Sequence, residues 1–147
     1  MVTRRERLNV VDSSAWLAYL ADEAGAEHFS VAIEDTDHLV VPVVCILEVF
    51  KIVARQRGDG DALQAVALMQ QAKVIDLDAN LALIAGKAAI DHNLPLADSM
   101  VYATAMLVEG VVWTQDDDFE DLPDVRYYPK RKRSYPSGSD LSRRRQM

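Results

Sequence analysis

The chain predicts an α/β sandwich with a mostly parallel central sheet, and three observations carry that class. Short apolar, β-branched runs at residues 8–11, 39–42, 74–77 and 111–114 alternate with longer segments of helical apolar spacing. Turn and cap residues, among them Gly25, Gly58, Gly60, Asp78, Pro95 and Gly110, separate the two kinds of segment. Two of the runs end at carboxylates, Asp12 and Asp116, and the carboxyl ends of parallel strands are where open α/β sheets bind ligands.

In order, residues 8–11 make a buried first strand that stops at Asp12. Ser13 or Ser14 caps a helix from 15 to about 22, with Trp16, Leu17 and Leu20 on its apolar face. Beyond Gly25 a second helix, 26 to about 34, turns Phe29, Ala32 and Ile33 inward. The second strand, 39–42, ends in a proline suited to a strand-to-helix junction. A third helix, 44 to about 57, carries Val44, Ile46, Leu47, Val49, Phe50 and Val53 over much of its girth, which predicts that it is largely buried. Gly58 and Gly60 end it, and a fourth helix reaches Lys73. The third strand takes 74–77, and Asp78 caps a fifth helix to about His92. Pro95 opens a sixth helix that ends at Gly110. The fourth strand, 111–114, runs into the acidic turn 116–122, and 125–128 form a last edge strand.

Length fits one domain, residues 1–129, followed by a basic tail, 130–147, that is too poor in apolar residues to pack and is expected to be disordered. The net charge of -7 hides an asymmetry: residues 1–129 carry 22 acids against 9 bases, whereas 130–147 carry seven bases against one acid. So acidic a body excludes general nucleic-acid binding by counterion release alone. No apolar run approaches the ~18 residues of a membrane span, and no signal-peptide core follows the charged N-terminus. A single cysteine, Cys45, excludes an intrachain disulfide and suits a reducing cytoplasm.

Four places set a carboxylate where an α/β fold would make it converge: Asp12, Glu48, Asp98 and Asp116. Each also has a plainer reading. Asp12 can be a helix cap, Asp98 a first-turn acid balancing the helix dipole, Glu48 the partner of Lys51, and Asp116–Asp118 a solvated turn. Carboxylates and water together make a hard-ligand site suited to Mg²⁺ or Mn²⁺, which can bridge phosphate oxygens and activate water, so the substrate class is a phosphodiester. His28, His38 and His92 are scattered, and each is read as a surface or capping residue.

The segments Val10-Val-Asp12-Ser-Ser-Ala-Trp-Leu17, Ile46-Leu-Glu48-Val, Pro95-Leu-Ala-Asp98-Ser-Met-Val-Tyr and Trp113-Thr-Gln-Asp116-Asp-Asp118-Phe119 resemble the PIN-domain family. In order and spacing they are most similar to the VapC-type toxins of bacterial toxin–antitoxin modules. The resemblance covers roughly residues 8–128. It implies a three-layer α/β/α PIN fold, Mg²⁺- or Mn²⁺-dependent endoribonuclease activity, a cytoplasmic location and a homodimer. It also implies a small cognate antitoxin, VapB-type, packed over the acidic cleft. The family's metal-site acids fall on Asp12, Glu48, Asp98 and Asp116, and Asp118 matches a frequent further acid just before Phe119. One departure is Val44, where a small hydroxyl residue is common.

In the implied mechanism Asp12, Asp98 and Asp116 hold one metal, Glu48 positions the metal or the attacking water, and Asp118 serves a second metal when RNA is present. Ser13 and Thr114 flank the acids, and Lys51 and Arg55 follow Glu48 at helical spacing as possible RNA contacts. Two alternatives stay within the same fold: a PIN nuclease of RNA processing outside toxin control, and an inactive PIN scaffold. A phospho-acceptor receiver domain fits poorly, because Asp12 has no acidic neighbour and no Lys lies between Lys87 and Lys130.

Overall fold

The computed structural model describes residues 7–130. Its strands are β1 (Asn9–Val11), β2 (Leu39–Pro42), β3 (Lys73–Ile75), β4 (Val111–Thr114) and β5 (Val125–Tyr127). They form one sheet in the order β3-β2-β1-β4-β5, and every pairing among them is parallel. Six helices cover it in the three-layer manner: α1 (Ser13–Leu20), α2 (Ala26–Ile33), α3 (Val43–Arg57), α4 (Asp59–Met69), α5 (Ala79–His92) and α6 (Leu96–Leu107). They pack chiefly in sequence pairs, α1 on α2, α3 on α4, and α5 on α6.

Burial on both faces explains the strand sequences. All four residues of β2 are buried, as are Val10, Val11, Val112 and Trp113 in the two strands beside it and beyond. Trp16, Phe29 and Phe119 fill the core against these strands. A smaller cluster of Leu81, Ala85 and Ala103 joins α5 to α6. Among the described residues no helix is long and apolar enough to cross a membrane.

Several local expectations are corrected. Asp12, not Ser13 or Ser14, caps α1, accepting the Ala15 amide at 3.0 Å. The third helix is not largely buried: only Cys45 and Val49, one turn apart, are fully covered, while Leu47 on the opposite side is 61% exposed. Helix α4 ends at Met69, and the third strand begins at Lys73 rather than residue 74. Nor is His28 a surface or capping residue. Its ring stacks on Tyr128 (4.5 Å, 21°) and leans on Trp113, with burial lowering its pKa and Arg126 adding to that effect. His38 instead bonds Asp35 within a short 3-10 turn, and His92 meets the edge of Tyr102 at the end of α5. Apart from Lys130, the basic tail of residues 130–147 lies outside the described residues.

Helix α6 stops through a Schellman-type turn: Glu109 takes the left-handed conformation (φ 55°) and the Gly110 amide reaches back to Ala105 O at 2.8 Å. Gly110 is needed for another reason. A Cβ there would lie 2.7 Å from Leu8 O, the carbonyl that accepts the Val111 amide at the start of the β1–β4 ladder. Gly110→Ala should therefore lower stability by about 1–3 kcal/mol. Chemical denaturation would show it as a lower midpoint at unchanged slope.

Candidate metal centre

The site is assembled where β1 and β4, paired with Val11 opposite Trp113, both end. Asp12 follows β1 directly and is 3% exposed. Its carboxylate takes three hydrogen bonds: from Ser14 Oγ (2.7 Å) and Ala15 N (3.0 Å) on Oδ1, and from Thr114 Oγ1 (2.6 Å) on Oδ2. Burial pushes the Asp12 pKa up to about 6, opposed by those three donors and assisted by the charge of Asp116. Thr114 is itself fully buried at the end of β4, and its Oγ1 accepts the Asp116 amide at 2.9 Å. One hydroxyl thus orders both strand ends.

Asp116 next caps the 3-10 turn Asp117–Phe119 by accepting the Asp118 amide at 2.9 Å. That turn brings Asp118 back toward Asp116 and leaves Asp117 exposed. Asp98 comes from the first turn of α6, where the helix N-terminus favours an anion. Asp98, Asp116 and Asp118 each offer a carboxylate oxygen, all within 4.8 Å of one another. Such crowding raises the Asp98 pKa to about 8, through burial first, then the charge of Asp116, the hydrogen bond with Asp118, and the charges of Asp12 and Asp118.

The family resemblance implies one metal on Asp12, Asp98 and Asp116 and gives Asp118 to a second; in the structure Asp98, Asp116 and Asp118 bring carboxylate oxygens together, while the Asp12 carboxylate takes three donors. Glu48 is half-buried on α3 and accepts Ser13 Oγ at 2.9 Å. Among the described residues no ion pair joins it to Lys51, which with Arg55 is exposed on α3. The premise that Glu48 sits on a buried helix therefore fails, because α3 is open on much of its surface.

Two neighbours of the site escaped sequence reasoning. Ser14 had been read only as a cap, yet its hydroxyl holds Asp12 and lies 3.4 Å from Thr114 Oγ1. Its place directly after Asp12-Ser13 was the available signal. Cys45 lies beneath the acids, with Sγ 3.9 Å from Val11 O; burial raises its pKa well above normal, helped by Asp12, Glu48 and Asp98. Nothing in the sequence pointed to that position.

The donor set fits a hard divalent cation. Its ligands are all oxygen, and two oxygens on one Mg²⁺ at about 2.1 Å stand at most ~4.2 Å apart, within a small side-chain adjustment of the spacing seen. A cation would also offset the burial and the neighbouring charges that raise the Asp98 pKa. Asp98 holds its proton up to about pH 8 in the folded state, against an ordinary carboxyl value of 3.8. The folded chain thus binds more protons across that window, and metal-free stability falls as pH rises through it. Thermal melts in chelator between pH 5 and 8 should show this fall. Mg²⁺ should reverse it toward pH 8, and Asp98→Asn should flatten the metal-free trend.

Comparison with known proteins agrees with this architecture. The sequence pattern of the PIN domain family matches residues 10–125. No curated protein matches the sequence. Among solved structures, a chain from a toxin–antitoxin complex of Klebsiella pneumoniae is 18% identical with a TM-score of 0.69, covering 83% of this chain and 98% of its own. VapC20 of Mycobacterium tuberculosis, described as a toxin that cleaves the sarcin–ricin loop, is 18% identical with a TM-score of 0.69, covering 82% and 99%. A chain of DNA-bound VapBC from Salmonella typhimurium is 15% identical with a TM-score of 0.65, covering 85% and 99%. At these identities the structural likeness speaks for the fold, and the pattern match over most of the chain places this protein in the PIN domain family.

Proposed function

We propose that the protein is a Mg²⁺- or Mn²⁺-dependent endoribonuclease, the toxin of a toxin–antitoxin pair. The observation that carries this is the set of three mutually close carboxylates, Asp98, Asp116 and Asp118, at the carboxyl edge of a parallel PIN sheet. Similarity to a sarcin–ricin loop-cleaving toxin and to chains of toxin–antitoxin complexes supports the substrate and the partner class.

Asp98, Asp116 and Asp118 would hold the ion, with Asp12 as a further ligand directly or through water. A bound divalent ion supplies phosphate polarisation and a lowered pKa for the attacking water. The chain's own groups do the rest. Thr114 and Ser14 fix the Asp12 carboxylate. Glu48, steadied by Ser13, faces the site from α3 and positions the water. Asp98 would need to be deprotonated to serve as a ligand, so activity is expected to rise with pH as that proton is lost. Lys51 and Arg55, exposed one and two turns beyond Glu48, contact RNA phosphates.

The partner is a small antitoxin that covers the acidic edge, and the compartment is the cytoplasm, which suits the free thiol of Cys45. A homodimer is supported by α5, where Leu83 (77% exposed) and Ile90 (78% exposed) stand two turns apart on one face.

Asp98→Asn and Asp116→Asn should each reduce metal-dependent RNA cleavage to background with the fold retained. Wild-type cleavage by either variant would overturn the assignment, and metal binding without cleavage of any RNA would favour an inactive scaffold. Thr114→Val should lower metal affinity or activity about 10–100-fold, the usual effect of removing a group that orients a ligand. The pair Leu83→Arg and Ile90→Arg should yield a monomer by light scattering; an unchanged dimer would move the interface elsewhere.

A further inference from the structure

β5 is the edge strand beside the acidic turn, and its register with β4 decides where its side chains go. Trp113 lies opposite Arg126, and the Arg126 guanidinium stands 4.9 Å over the Trp113 ring on one face of the sheet. Thr114 lies opposite Tyr127, one residue further on, so both side chains turn to the other face. That is the face on which Thr114 Oγ1 holds Asp12. Tyr127 therefore stands beside the end of β4, where Asp116 caps the 3-10 turn Asp117–Phe119 that packs against β5. The electrostatics agree with this placement: desolvation first, then the charges of Glu120, Asp117 and Asp116, raise the pKa of the phenol. The hydroxyl is thus kept neutral next to the acids.

Three other tyrosines are committed to the fold. Tyr19 meets Trp16 edge-on and donates to Glu34 at 3.2 Å, Tyr102 donates to Pro123 O at 3.0 Å, and Tyr128 stacks on His28 at 4.5 Å. Among the described residues Tyr127 has neither a ring partner nor a hydrogen bond from its hydroxyl, and it is only half-buried. A rigid aromatic ring held on a strand and open on a face is what base stacking requires. The surroundings favour that use. Asp116, Asp117 and Glu120 repel phosphate, and a lysine among them would be neutralised, whereas a neutral ring can attract a neutral base.

We propose that Tyr127 stacks on an unpaired base of the RNA strand whose phosphate reaches the acidic cluster, positioning that strand at the end of β4. The inference deepens the ribonuclease reading and rests on it, adding that the substrate is single-stranded where it meets β5. A base inside a duplex is already stacked on both sides and offers the ring no face.

Binding is the readout, so that it can be separated from cleavage. A fluorescein-labelled single-stranded RNA of about ten nucleotides is titrated with the full chain in Ca²⁺ and followed by anisotropy. Tyr127→Ala and Tyr127→Val, the second keeping a strand-forming residue, should each weaken binding about 10–100-fold. Tyr127→Phe, which keeps the ring, should rescue it. The same RNA annealed to its complement should bind wild type and Tyr127→Val alike. Moving one abasic position along the oligomer should find a place where its loss in the wild type is absent in Tyr127→Val, a coupling that a merely structural role would not produce. Equal binding of the single strand by wild type and Tyr127→Val would overturn the proposal. So would failure of the wild type to bind RNA, or abasic losses that add in full to that of Tyr127→Val at every position. Ring-dependent binding by a protein that cleaves no RNA in Mg²⁺ would uphold the stacking contact and overturn the ribonuclease reading alone.

Discussion

The buried hydrogen bond from Thr114 Oγ1 to Asp12 Oδ2, 2.6 Å long, ties the ends of the two central strands together. The same oxygen accepts the Asp116 amide, so a single hydroxyl sets the start of the acidic turn as well as the orientation of the first acid. A carboxylate as covered as Asp12 would be costly without such donors, and Ser14 and the Ala15 amide complete its coordination. The β1–β4 register makes this possible. With Val11 opposite Trp113, Asp12 and Thr114 leave the sheet side by side, whereas a shift of one residue would turn one of them to the other face.

Around that anchor the chain collects charges of one sign from three separate elements. Asp98 is delivered by the first turn of α6, Asp116 and Asp118 by a turn that caps itself, and Glu48 by the half-open side of α3. Without a cation, burial first and then the neighbouring carboxylates raise the Asp98 pKa to about 8. A divalent ion bound there would offset that repulsion, and pH, metal occupancy and stability would then be linked through the same few oxygens.

Charge asymmetry along the chain extends the same theme beyond the site. An acidic body would repel a nucleic-acid backbone over a Debye length or more. Among the described residues, Lys51 and Arg55 on α3 are exposed positive charges set against that field.

The sequence by itself determined the parallel α/β architecture, because strands buried on both faces must be apolar throughout, as residues 39–42 and 111–114 are. It also marked Asp12 and Asp116 as acids at strand ends, Asp98 at a helix start and Glu48 about one turn into a helix, since those are positions in local structure. Periodicity misjudged α3: apolar residues all round a helix imply burial only if neighbours exist on every side, and Leu47 is 61% exposed. Ladder edges were off by a residue or more at β3 for the same reason, since hydrogen-bond partners rather than composition decide where a strand begins. Only the tertiary structure decided which acids stand within reach of one ion. Asp118 enters that set because the turn after Asp116 folds back on itself, and Asp12 is held alongside because Thr114, 102 positions away, takes one of its oxygens. Contacts across such separations depend on strand order and register, which no local pattern encodes.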